Sequence, residues 1–400
     1  MSVRLSAIAS RQHKLYDNHF YSVNTNHNKA SYLTHLTAMA STTAVVPKDL
    51  PTEMQAILQP DKASTKLVQG TIPVPTPTHP DDILVRVVAT APCAGELLWA
   101  RNFPELIPAD KIPVPGQDMA GIVVAAPQHS TFKPGDEVYA RIEATRPGAA
   151  AEYTLAKESE LALRPRSVDW AHTAATPLSA LTAYQALFTH GTLNPAALLG
   201  GHNISSDKAA AVRANGQQRV LVTGASGGVG SWVVQLAAAA GAGAVVAVAG
   251  PGKGDLVREL GATEVVDYSR QTIGQWAAEG SGGEHGVDLV VDCIGGTSLA
   301  ASWAAVKDGG LIVSIVSSPE AARPAGGQAG NSAKAAKGLF FVVEALGSQL
   351  KDIARLVDAK VARPLVDSVW GFNEFEKAFG RLEGGHVRGK IVMQVDGSLE

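Results

Sequence analysis

The stretch Arg219–Gly230, RVLVTGASGGVG, decides how this chain is read. Arg219 to Val222 is a short apolar, β-branched run, which predicts a strand buried on both faces. Glycines follow at Gly227, Gly228 and Gly230, and Ser231 to Ala240 (SWVVQLAAAA) then reads as a helix free of Gly and Pro. A strand that turns on glycine into a helix N-terminus is a pyrophosphate cradle. Free N–H groups and the positive end of the dipole face the anion, and a Cβ would obstruct its approach. The register on G-x-G-x-x-G is Ala225, Ser226, Gly227, Gly228, Val229, Gly230, which puts Ala225 at the first glycine and Gly224 one place earlier. Alanine is tolerated there if its φ stays negative. Glycine turns without a ligand are common, so the reading as a dinucleotide site rests on context: the strand before, the helix after, and a second apolar run, Ala244 to Ala249.

Beyond the loop the alternation continues. Helical patterns over Asp255–Leu260, Gln271–Ala278 and Ser298–Val306 alternate with apolar runs at Glu264–Tyr268, Val287–Cys293 and Gly310–Val316. Ala321 to Gly338 is Gly- and Ala-rich and reads as mobile. Leu339 to Val343 reads as a strand, Gly347 to Lys360 as an amphipathic helix and Arg388 to Val395 as a last strand. Such alternation means α/β architecture with a parallel, doubly wound sheet.

Upstream the texture differs. Met54–Leu58, Lys66–Val68, Ile83–Thr90, Ile122–Ala125, Ala150–Leu155 and Leu161–Leu163 are short strand patterns, and Pro134-Gly135-Asp136 is a turn feeding another. Together they predict an all-β, turn-rich region of the small-barrel type. Trp170 to Phe188 is apolar at helical spacing with a break at Pro177, and Asn194 to Gln218 reads as a polar surface loop. Residues 1–52 read as a tail. The first 38 residues carry Arg4, Arg11, Lys14 and Lys29 against the single acid Asp17, with sparse apolar residues. That composition permits a mitochondrial presequence or a dispensable leader. The expected location is the cytoplasm, or the mitochondrion if the tail is a presequence.

Composition narrows the class. A formal charge of −3 over 400 residues offers no general surface for nucleic acid or anionic membrane. Two cysteines, Cys93 and Cys293, supply neither a disulfide framework nor a four-thiolate zinc site. Val220 to Gly252 carries no charge and is long enough to span a bilayer, but its glycines divide it into strand, loop, helix and strand, so a membrane reading fails.

With these motifs in order, residues from about Glu53 to Val395 resemble the medium-chain dehydrogenase/reductase superfamily, in its zinc-independent quinone oxidoreductase-like (enoyl reductase-like) branch. The resemblance rests on Gly116-Gln-Asp-Met-Ala-Gly121, Lys133-Pro-Gly-Asp-Glu-Val138, Leu181-Thr-Ala-Tyr-Gln-Ala-Leu187, the glycine loop and Arg388-Gly-Lys390. It implies a GroES-like β-barrel catalytic domain over 53–177, completed by 346–400, a Rossmann domain over 178–345, and a homodimer. Zinc members use Cys, His and Cys for the catalytic metal. Here Cys93 stands at the first position, Gln117 at the second, and the third falls near Pro177 or Leu178. One thiolate and an amide do not hold Zn²⁺, so the chemistry is expected to be metal-free.

The end of the second Rossmann strand selects the cofactor. NAD readers place an acid there to bind the ribose hydroxyls, whereas this chain reads Val248-Ala-Gly-Pro-Gly-Lys253, with no acid before Asp255. In the family's quinone-reductase branch a Lys here and a Tyr further along resemble a 2′-phosphate clamp, a role for Lys253 and Tyr268. The cofactor expected is NADP(H). By resemblance Thr182 borders the nicotinamide ribose, Cys293 and Gly295 border the cofactor, and Ile315 to Ser317 offer backbone groups to the carboxamide.

Without a metal to polarise the acceptor, hydride transfer to an already polarised small molecule follows: a quinone or an α,β-unsaturated carbonyl. Cys93 and Glu96 are candidates to line the substrate cleft. No proton donor is evident, since the Trp99–Pro104 loop lacks the Tyr that enoyl-thioester reductases of the superfamily use. An enoyl-thioester reductase and a non-catalytic NADPH-binding redox sensor or structural protein stand as alternatives.

Overall fold

The structure, a computed structural model, describes residues 44–105, 107–198, 206–280, 285–324 and 335–398. Its centre is a six-stranded, all-parallel sheet. In spatial order the strands are Glu264–Asp267, Ala244–Ala249, Arg219–Val222, Val287–Asp292, Val306–Ser314 and Lys337–Phe340. Numbered along the chain this is 3-2-1-4-5-6, the doubly wound order whose switch point lies between the first and fourth strands. Alternation explains the two faces. Val220 and Val222 point into a core with Trp232, Val233 and Leu236 of the helix Gly228–Ala239, whereas Leu221 joins Val246, Val290, Ile312, Trp276 and Trp303 on the other side. All of these are buried, each contributing roughly 1.5–3 kcal/mol of transfer free energy.

The second sheet is mixed and built from both ends of the chain. Val366–Gly371 pairs in parallel with Lys390–Gln394, which runs antiparallel to Asp82–Ala91. Asp118–Ala125, Glu137–Arg141 and Leu161–Leu163 follow in order, and Tyr153–Lys157 pairs with the other side of Asp82–Ala91. Thus the α/β fold with a GroES-like barrel and a Rossmann sheet is present. The helix Pro177–Tyr184 packs on Gly228–Ala239 and carries Leu181 and Ala183 into the same core as the parallel sheet. Among the described residues no helix is long and apolar enough to cross a membrane.

Several expectations need correction. The tail was expected to reach residue 52, but Ala44 is buried against Leu84 and Ala125, with Val46 and Leu50 beside it. Those anchors are too few to show a period in the sequence. Residues 1–43, which hold most of the expected tail, lie outside the described residues, as does 325–334 of the expected mobile segment. The strand expected over Lys66–Val68 is instead Val68–Pro73, paired antiparallel with Glu53–Leu58.

Asn194–Gln218 is not simply a loop. It contains a helix, Ser206–Asn215, tied down by Asn215, whose Nδ2 donates to Ala240 O at 2.8 Å and whose Oδ1 accepts the Asn194 N–H. Its alanines favour helix, but a helix that is polar nearly all round gives no periodic signal. The strand Val366–Gly371 and the helix Phe375–Glu383 carried no expectation.

Candidate active site

The glycine loop sits at the switch point. Gly224 takes the left-handed conformation, φ 62°, while Ala225 does not, so Gly224 performs the turn that the motif assigns to its first glycine. Gly230 is demanded by packing: a Cβ there would lie 2.2 Å from Gly224 O. Ser231 N–H makes the first hydrogen bond of the helix, to Gly227 O, and Gly227 provides no side-chain cap. The N–H groups of Val229 and Gly230 consequently find no acceptor among the described residues. Two unpaired donors at the positive end of a helix fit a pyrophosphate.

The opposite lip of the crevice is organised by Asp292, fully buried at the end of the fourth parallel strand. It accepts hydrogen bonds from Thr223 Oγ1 at 2.8 Å, Ser314 Oγ at 2.9 Å and Gly295 N–H at 3.0 Å. Thr223 Oγ1 in turn accepts the Cys293 N–H. One carboxylate therefore fixes three strand ends, and it sets Cys293 and Gly295 beside the loop. The N–H groups of Ile315, Val316 and Ser317 are already used, by Asp292 O and Ser314 Oγ. Only their carbonyls remain for a carboxamide, which narrows the expectation for that segment.

At the end of the second parallel strand lies a cleft of about 820 Å³ lined by Gly250, Pro251, Lys253, Tyr268, Ser269, Asp367, Arg381, His386 and Arg388. Lys253 and Tyr268, singled out from sequence, line it together. The Tyr268 hydroxyl lies 2.7 Å from where a Cβ on Gly250 would stand. Burial holds the Lys253 amine below its usual range, and the neighbouring Arg388 adds to the effect.

At the other end lies a buried ionic cluster. Lys390 Nζ is 2.8 Å from Asp118 Oδ2 and donates to Pro92 O at 2.8 Å. Asp118 Oδ2 is thus one half of a buried ion pair, while Oδ1 accepts the Leu178 N–H at 2.5 Å. Burial opposes the charge on Lys390, but Asp118 foremost, with Cys93 and Glu96, raises its pKa above the ordinary value. The Lys390 stem runs beside the glycine loop, its Cδ 3.3 Å from where a Cβ on Gly228 would be, and Gly389 N–H donates to Ser226 O.

Cys93 and Glu96 meet here. Glu96 accepts the Cys93 N–H at 2.9 Å and the Gly116 N–H at 2.8 Å, so it shapes the loop and is not a free base. Burial pushes the Cys93 thiol from 9.0 up to about 11 and the Cys293 thiol higher still. Thr182 is buried and donates to Leu178 O at 2.6 Å, so toward a ribose its hydroxyl has only acceptor capacity left. Sequence reasoning missed Asp118, Lys390 and Asp292 as a structural set, together with Arg381 and Arg388 at the cleft. Asp118 and Lys390 both stand in recognised motifs, but nothing local pairs residues so far apart.

The zinc positions can be tested directly. Gln117, in the orientation that satisfies its amide, donates to Ile142 O at 2.8 Å and Glu143 O at 3.2 Å. Asp118 is committed to Lys390, and Glu96 to two backbone N–H groups. No group of three His, Cys, Asp or Glu side chains among the described residues converges as a metal site would. The donor set does not fit catalytic zinc.

Comparison with known proteins agrees with this architecture. A family described as "Alcohol dehydrogenase GroES-like domain" matches residues 79–166, and one described as "Zinc-binding dehydrogenase" matches 260–393. The chain is 41% identical over 358 residues to "Probable zinc-binding oxidoreductase, mitochondrial" of Arthroderma benhamiae, covering 89% of this chain and 100% of that protein. It is 29% identical to "NADPH-dependent alkenal/one oxidoreductase, chloroplastic" of Arabidopsis thaliana, covering 94% and 86%. The crystal structure of an alcohol dehydrogenase superfamily protein from Novosphingobium aromaticivorans superposes with a TM-score of 0.68 at 26% identity, over 86% of this chain and all of that one. On fold, motifs and relatives together, this chain belongs to the medium-chain dehydrogenase/reductase superfamily and is an oxidoreductase of that type.

Proposed function

We propose that the protein reduces a quinone or an α,β-unsaturated carbonyl with NADPH, and without a metal. The observation that carries this reading is the convergence of Lys253 and Tyr268 on one cleft at the end of the second parallel strand, where no acid follows Ala249 before Lys253. A ribose-binding acid would repel a 2′-phosphate; a lysine attracts it. The Arabidopsis relative, whose name states NADPH dependence and an alkenal or alkenone substrate, supports the same reading. The mitochondrial name of the Arthroderma relative fits the basic, acid-poor start of the chain.

When bound, NADPH supplies the hydride. The chain's own residues hold and orient: Val229 and Gly230 N–H groups face the pyrophosphate, Lys253 and Tyr268 the 2′-phosphate, and the Asp292 hub keeps the far lip rigid. The thiols matter in a further way. Enones and quinones alkylate thiolates, and burial, by raising the Cys93 and Cys293 thiols, lowers the thiolate fraction open to them.

The test is NADPH oxidation with a panel of ortho-quinones, enals, enones and enoyl thioesters. Turnover with quinones or enones supports the proposal. Turnover confined to enoyl thioesters, or tight NADPH binding with turnover on none, contradicts it and selects one of the alternatives.

A further inference from the structure

A cavity of about 40 Å³, which shares no residue with the Lys253 cleft, is formed in part by the segment that links the short helix Trp99–Asn102 to the strand Asp118–Ala125. Its wall is apolar over Leu97, Trp99 and Ile107, and two lysines, Lys62 and Lys111, line it beside Glu96. The lysines are not equivalent. Lys62 Nζ donates to two carbonyls, Pro108 O at 3.2 Å and Ala109 O at 2.6 Å, and so pins the segment. Among the described residues Lys111 Nζ makes one hydrogen bond, to Ala144 O at 2.7 Å. The hydride transfer proposed above makes no use of Lys111.

An amine in this setting is drawn toward its neutral form. Burial pulls Lys111 from 10.5 down to about 8; Glu96 opposes the shift, and the cations of Lys62 and Arg141 favour it. At pH 8 about half of Lys111 is therefore uncharged, against under about 1% of an ordinary lysine. The neutral amine has two N–H groups and a lone pair. One N–H satisfies Ala144 O, which leaves the lone pair available to the cavity. A neutral amine against an apolar wall is the arrangement that lets a lysine attack a carbonyl.

We propose that Lys111 is a carbonyl-capture site, which holds a small aliphatic aldehyde in this cavity as an imine. The nitrogen lone pair forms the new C–N bond, and the carbonyl π pair moves to oxygen, which takes up a proton that nitrogen gives up. The resulting carbinolamine loses its hydroxyl and the remaining nitrogen proton as water, and the C=N bond forms. Nothing is oxidised or reduced, and hydrolysis returns the lysine and the aldehyde. The volume suits a chain of a few carbons, not a fused aromatic ring system. Capture needs no nicotinamide, so it stands or falls apart from the NADPH reading.

The test is incubation of the full chain with propanal, a borohydride quench that reduces any imine to a stable amine, and peptide mapping by mass spectrometry. At pH 8 Lys111 is expected to carry at least about tenfold more propyl label than an exposed lysine such as Lys351. Its label is expected to fall more than about tenfold at pH 6.5, where the ammonium prevails. The α-amino group, whose ordinary pKa is also about 8, is read separately by the mapping. 2-Naphthaldehyde, too large for the cavity, is expected to label Lys111 no more than Lys351. K111R keeps a donor for Ala144 O and is expected to lose the propyl adduct. Propyl label on Lys111 no greater than on Lys351, or equal labelling of Lys111 by the two aldehydes, would overturn the proposal, and both readings come from the wild-type protein.

Discussion

Lys390 Nζ lies 2.8 Å from Asp118 Oδ2 with both side chains buried, pairing the first residue of the last strand with the first residue of the strand that opens at the GQDMAG motif. The pair lies beside the positions that a zinc member's ligands would occupy: Asp118 follows Gln117 and accepts the Leu178 N–H, and Lys390 Nζ donates to Pro92 O, next to Cys93. A buried pair of this kind costs little to replace whole and much to break. K390M is therefore expected to destabilise the protein by about 3–5 kcal/mol, and D118N/K390M together by clearly less than the sum of the single changes. Urea unfolding of the double-mutant cycle measures this, and additive losses would show that the two residues do not act as a pair.

The loop glycines are unequal. A Cβ on Gly230 would lie 2.2 Å from Gly224 O, a backbone atom that cannot turn aside, whereas one on Gly227 would meet the same oxygen at 3.3 Å. G230A is expected to cost 2 kcal/mol or more, roughly the penalty of an overpacked core, and G227A under about 1 kcal/mol. Melting temperatures of the two variants decide it, and equal losses would sink the argument.

The Cys93 thiol is pushed by burial from 9.0 to about 11. A raised thiol value means that the folded protein favours the neutral form. The group's contribution to stability is full below pH 9 and is lost as pH rises towards 11. At pH 8 the thiolate fraction is about a hundredfold below that of a free thiol, since two pH units separate the values. Iodoacetamide should accordingly label the folded protein slowly at pH 8 and faster as pH approaches 11, followed by intact mass. Rapid single-site labelling of Cys93 at pH 7 would contradict this.

Asp292 accepts from two hydroxyls and a backbone N–H while fully buried. D292N turns one acceptor into a donor facing Thr223, Ser314 or Gly295, leaving at least one buried donor unpaired. A loss of about 1–3 kcal/mol is expected, with weaker nucleotide binding because Cys293–Gly296 loses its anchor. Unchanged stability and unchanged binding would remove Asp292 from the account.

Much of this was legible because it is local. The Arg219–Gly230 stretch contains its own strand, turn and helix start, and the buried parallel strands announce themselves as uninterrupted apolar runs. Even there the motif register misled slightly, since Gly224 rather than Ala225 takes the positive φ. What the sequence concealed is long-range or weakly patterned. Asp118 and Lys390 meet only because both chain ends build one sheet. Arg388 reaches the Lys253 cleft through the return of the chain after Val366, and neither neighbourhood hints at the other. The helix Ser206–Asn215 carries no hydrophobic period, and its stability comes instead from alanine content and the Asn215 tether.

The central claim is NADPH-driven reduction by a site with no place for zinc. Its most direct test is to dialyse the purified protein against a chelator, confirm by elemental analysis that zinc is far below one per chain, and then assay NADPH and NADH oxidation with an enone and an ortho-quinone. Full activity with NADPH, and much weaker activity with NADH, is the predicted result. Activity that vanishes on chelation and returns with stoichiometric zinc would contradict the account.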